Sequence, residues 1–134
     1  MIRRLRRERR ARRLCTGLRA DLDRRLRALD GSWVIVRDRE VEGAPALVTI
    51  AAGPTGIWVL WVPDPLRTGY HPRPIAESIA SCVGVAPEHV RLRPLYSEIA
   101  IAHVMDAMVN STAWFSSHHA LPWTHRLDVT GGKG

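Results

Sequence analysis

A chain of 134 residues with 46% hydrophobic and 25% charged side chains holds apolar material for one core and too little length for two full domains. It is too apolar for general disorder, and it shows no fibrous repeat. Residues 1–30 carry twelve Arg against Glu8, Asp21, Asp23 and Asp30, a balance of +8, so the rest sums to about −1 of the overall +7.

Such segregation describes a basic arm on a near-neutral body, and it points to polyanions as partners. Nineteen Arg against one Lys is expected of a GC-rich genome and adds little by itself. The Arg-rich start lacks the apolar run of a secretory signal and the serines of an organellar transit segment. Cys15 and Cys82 have no metal-ligand spacing and no disulfide framework, which makes a reducing cytoplasm the expected compartment.

In chain order, residues 2–29 read as a helix with one apolar stripe, Leu14, Leu18, Leu22, Leu26 and Leu29. Before Leu14 the stripe gives way to Arg, so this part is expected to project from the body or to fray when no partner is present. Asp30-Gly31 ends the helix, and a first strand is expected near 32–37. A second strand near 46–52 and a third near 57–62 flank the turn Gly53-Pro54-Thr55-Gly56. In the third, Ile57, Val59 and Trp61 alternate with Trp58, Leu60 and Val62, as in a central strand covered on both faces. Residues 43–63 hold no charge and have the length of a membrane span, but the Pro-Gly turn in their middle breaks a lone helix.

A Pro- and Gly-rich loop follows, then a helix from Pro74 to about Gly84. A fourth strand near 89–95 alternates Val90, Leu92 and Pro94 with Arg91 and Arg93. Ser97 with Glu98 opens a last helix, whose apolar face is read as Ile99, Ala102, Val104, Met105, Met108 and Val109. The expected organisation is an arm over 1–13, one α/β domain over 14–110 and a tail over 111–134 without clear period.

The order helix, three strands, helix, strand, helix resembles the restriction-endonuclease-like core. Within it, residues 17–63 are similar to the nuclease-related domain. "GLRAD" stands at the family's Gly-x-x-Gly-Glu-like start, with Ala20 for the second glycine and Asp21 for the acid. Counting back from the shared Gly-Pro-x-Gly turn, Val48 and Thr49 take the family's Asp and His places. After the turn, Trp61 and Pro63 take those of Glu and Lys. The resemblance implies metal-assisted phosphodiester cleavage in the family, in which carboxylates hold a divalent cation and the lysine orients the attacking water. Valine and tryptophan supply no hard oxygen ligand, so no catalytic residue, metal or cofactor is expected here. Another α/β or α+β arrangement stays open beside this one.

Other constellations are weaker. His103, Asp106, His118, His119 and His125 contain zinc-ligand residue types, but adjacent histidines point apart and a surface contact explains the His103 and Asp106 spacing. Trp58 and Trp61 have the chemistry to stack bases and the sequence context of core. The favoured expectation is a non-catalytic, nucleic-acid-associated protein binding DNA or RNA backbone. Arg3, Arg4, Arg6, Arg7, Arg9, Arg10, Arg12 and Arg13 would grip phosphates, with Arg91 and Arg93 extending the basic surface. The alternative is an accessory subunit docking its basic helix on an acidic protein or, with only Ile2 and Leu5 as apolar anchors, on an anionic membrane. A divergent enzyme using Asp21 or the tail histidines is the third reading.

Overall fold

The computed structural model describes residues 2–63 and 69–111. Helix α1 spans Ile2–Arg27, and strands β1 (Val34–Arg39), β2 (Val48–Gly53) and β3 (Gly56–Trp61) follow. Helix α2 (Pro72–Val83), a single 3₁₀ turn (Pro87–His89), β4 (Val90–Pro94) and α3 (Glu98–Asn110) complete the chain. The four strands form one mixed sheet in the order β1-β2-β3-β4, antiparallel for the first two pairings and parallel for β3 with β4. A parallel pair needs a crossover, and α2 supplies it.

The uncharged segment is thus a hairpin. Gly53 pairs with Gly56 across the Pro54-Thr55 turn, and Gly56 takes a φ of 130°, which only glycine adopts without strain. Gly53 also lets the Trp33 ring lie on the backbone, since a Cβ there would stand 2.4 Å from it. Among the described residues no helix is long and apolar enough to cross a membrane.

Alternation in β3 splits the core into two layers, as the sequence predicts. Ile57, Val59 and Trp61 join Val48, Ile50 and Val90 under Ile75, Ile79 and Val83 of α2. Trp58, Leu60 and Val62 face the other way, beneath Leu18, Leu22 and Leu26 of α1 and Ile101, Met105 and Met108 of α3. Each such aliphatic side chain contributes about 1.5–3 kcal/mol when fully buried.

Several expectations need correction. Leu14 is 53% exposed, and Cys15 takes the place facing the core and donates from Sγ to Pro63 O at 3.4 Å. Stepping back from Leu18 by three residues, rather than four, keeps the stripe on one side. On α3, Ile99, Ala102 and Val109 are exposed because the face that packs is Ile101, Val104, Met105 and Met108, the i, i+3, i+4, i+7 set. β1 begins at Val34 because Ser32 belongs to the helix-ending turn, where its backbone N–H donates to Asp30 Oδ1 at 2.8 Å.

The ends of the later elements follow local rules. Ser97 Oγ caps α3 by accepting from the Ala100 N–H at 3.1 Å. α2 starts at Pro72, earlier than the expected Pro74, and stops at Gly84, whose φ of 77° is the left-handed C-cap.

Candidate functional site

α1 is continuous, and its 26 residues span about 39 Å. Its C-terminal half is held to the sheet by Leu18, Leu22 and Leu26. Nothing before Cys15 enters either hydrophobic cluster, and the eight Arg between positions 3 and 13 are all exposed. Among the described residues only Arg4 of the eight has an acidic partner, Glu8 at 3.4 Å. The arm therefore presents a dense field of unneutralised guanidinium groups.

Arg91 and Arg93 sit on β4, on the sheet face that carries α1 and α3. Their Cζ atoms lie 4.9 and 5.5 Å from the Trp58 ring centroid. This cation–π contact covers the indole, and among the described residues no acidic partner pairs with either Arg. Trp58 itself is fully buried: its Nε1 donates to Thr55 Oγ1 at 3.1 Å, and Thr55 donates to Met108 O at 2.7 Å. Trp61 is 2% exposed and packs edge-on against Tyr70, with centroids 5.0 Å apart. Neither indole is open to stack a base.

Those two layers also settle where the positions compared with a nuclease lie. The register pairing Thr49 with Leu60 brings Val48 and Trp61 side by side, both buried toward α2. Asp21 belongs to the helix on the opposite face. It is 9% exposed and is gripped by Arg24 and, at 3.1 Å, by Arg25. Burial opposes its charge, but the hydrogen bonds from the two guanidinium groups prevail and hold its carboxyl below the ordinary 3.8.

No family model matches the chain, and neither a curated protein nor a solved structure matches it.

One groove of about 320 Å³ opens between α1 and the β1-β2-β3 edge, lined by Arg19, Asp23, Arg37, Asp38, Thr49 and Trp61 among others. Asp23 bridges Arg27 at 2.8 Å and Arg37 at 2.5 Å, so its charge is neutralised locally. Asp38 takes a left-handed φ of 55° where β1 bulges between Val36 and Arg39. The sequence carries no local signal for this groove, because the Asp23 and Arg37 contact depends on how α1 crosses the sheet. Among the described residues no cluster of three His, Cys, Asp or Glu side chains is placed to hold a metal. His103 and Asp106 lie on the exposed face of α3, with Asp106 accepting from Asn110 Nδ2 at 2.6 Å. His118, His119 and His125 fall outside the described residues.

Proposed function

We propose that this chain is a non-catalytic, nucleic-acid-associated protein of the cytoplasm, a restriction-endonuclease-like α/β domain without metal ligands that holds phosphates through α1. The observation that carries the reading is the set of eight exposed Arg over residues 3–13, of which Arg4 alone has an acidic partner among the described residues. Guanidinium groups bind phosphate oxygens with charge-assisted, often bidentate hydrogen bonds. Affinity of this kind comes from counterion release and carries no sequence information. Arg91 and Arg93 add positive charge on the same side of the sheet. The finer fold assignment rests on the order of elements.

The test compares the full chain with one beginning at Leu14. The full chain is expected to bind duplex nucleic acid with little sequence preference and, if about five phosphates are engaged, with a log–log salt slope of about −4 to −5. The shortened chain keeps Leu18, Leu22 and Leu26, so it should fold and lose most of the affinity and slope. Equal binding by both removes the arm from the mechanism. Capture of an acidic protein or anionic vesicles by the full chain, with no nucleic-acid binding, replaces this reading by the accessory-subunit one.

A further inference from the structure

Residues 3–14 read Arg-Arg-Leu, Arg-Arg-Glu, Arg-Arg-Ala, Arg-Arg-Leu, an Arg doublet at every third step. An α-helix turns about 100° per residue, so each triplet falls about 60° short of a full turn. Each doublet is therefore rotated by that amount from the one before it. Between Arg3-Arg4 and Arg12-Arg13 the direction of the charge swings by about 180° over a rise of about 14 Å. The positive charge winds around the helix instead of lying along one side.

The buried stripe of α1 fixes how this spiral sits on the body. Extended toward the N-terminus, the line through Leu18, Leu22 and Cys15 passes Ala11 and reaches Arg4, whereas Arg13 lies on the opposite side. Arg4 is nonetheless 84% exposed. The body thus ends before the tip of the helix, and the tip offers charge in every direction. A flat bilayer or protein surface touches one side of a helix and leaves the doublets on the other side unused. The major groove of B-form DNA is about 12 Å wide, admits a helix of about 10–12 Å diameter, and is walled by two phosphate strands. In A-form RNA that groove is narrow and deep, closed to such an insertion.

We infer that the N-terminal half of α1 lies in the major groove of duplex DNA, where its doublets reach phosphates of both strands. This deepens the phosphate-binding reading above and rests on it. No base contact is required, because the groove is recognised by its width and by its charge on two sides.

The experiment titrates the full chain with a random-sequence DNA duplex, the matching RNA duplex, and the same DNA with glucosylated 5-hydroxymethylcytosine filling the major groove. Four variants, R3A/R4A, R6A/R7A, R9A/R10A and R12A/R13A, are titrated with the unmodified DNA. The expected result is binding to unmodified DNA about tenfold or more tighter than to either other duplex. Each doublet variant should lower the salt slope by about 1, including the pairs on opposite sides of the helix. Alanine preserves helix propensity, and circular dichroism checks that each variant is folded. Equal affinity for all three duplexes, or an unchanged slope for R3A/R4A or R12A/R13A, overturns groove insertion and leaves backbone binding standing. Failure to bind any of the three overturns both.

Discussion

Val48 and Trp61 lie next to one another on β2 and β3, one step beyond the Thr49 and Leu60 pair, and α2 seals both from water. A carboxylate pair in those positions would face Ile75 and Ile79, not solvent. The first prediction is that the protein cleaves neither supercoiled plasmid nor single-stranded RNA in Mg²⁺ or Mn²⁺. Installing a ligand should harm the fold instead of creating activity: Val48→Asp is expected to cost about 3–5 kcal/mol in urea unfolding, the usual penalty of an uncompensated buried charge. Metal-dependent cleavage by the native chain that vanishes in Asp21→Ala would place a catalytic site on α1.

Thr55 ties the hairpin turn to the end of α3. Its hydroxyl accepts from Trp58 Nε1 and donates to the carbonyl of Met108, one of the last carbonyls of that helix. Thr55→Val keeps the shape and leaves a buried donor and acceptor to lose their partner. The expected loss is about 2–4 kcal/mol, with Thr55→Ser close to native. A Thr55→Val protein of native stability would show that water replaces the hydroxyl.

How much of this was legible beforehand depended on whether a feature is local. The two-faced β3, the Ser97 cap, the Gly84 stop and the Gly53-to-Gly56 turn all follow from short-range rules, and each is where the sequence predicts it. Thr55 reaching Met108, Asp23 reaching Arg37, and Arg91 and Arg93 lying over Trp58 join residues far apart in the chain. Periodicity carries no information about such pairs. Ile99 failed for a related reason: several apolar residues in one helix define more than one possible face, and only packing against Trp58 and Leu60 selects among them. The exposure of the eight Arg was legible, since it needs no tertiary contact to explain it, but their place in one continuous helix, rather than in a frayed end, was not.

The acid range offers a test of the α1 ion pairs. Asp21 titrates below 3.8 because Arg24 and Arg25 stabilise its charged form more than burial disfavours it. A carboxyl whose folded pKa is depressed contributes stability above its unfolded value and loses it as pH falls through the folded one. Unfolding midpoints should thus drop as pH falls below about 4 and through the depressed folded pKa, and Asp21→Asn should flatten that drop. Asp30 is also held low, by hydrogen bonds from Ser32, so some slope remains in the variant. An Asp21→Asn profile as steep as the native one would assign the acid sensitivity elsewhere.

The last prediction concerns the helix of the arm itself. Arg3 faces Arg6 and Arg7, Arg6 faces Arg9 and Arg10, and Arg9 faces Arg12 and Arg13, all like-charge neighbours at i, i+3 and i, i+4. Glu8 offsets only one of them, Arg4, and the first turn has no acidic residue to complement the positive end of the helix dipole. These terms oppose helix formation by a few tenths of a kcal/mol per pair, and bound anions or added salt weaken them. Helical ellipticity of the full chain is therefore expected to rise as salt is raised from low ionic strength, while affinity for nucleic acid falls over the same range. Saturating DNA at low salt should produce the same gain in ellipticity without the salt. The chain beginning at Leu14 should show neither response. If ellipticity is constant with salt and with DNA, the arm is fully helical before it meets a polyanion, and its binding carries no folding cost.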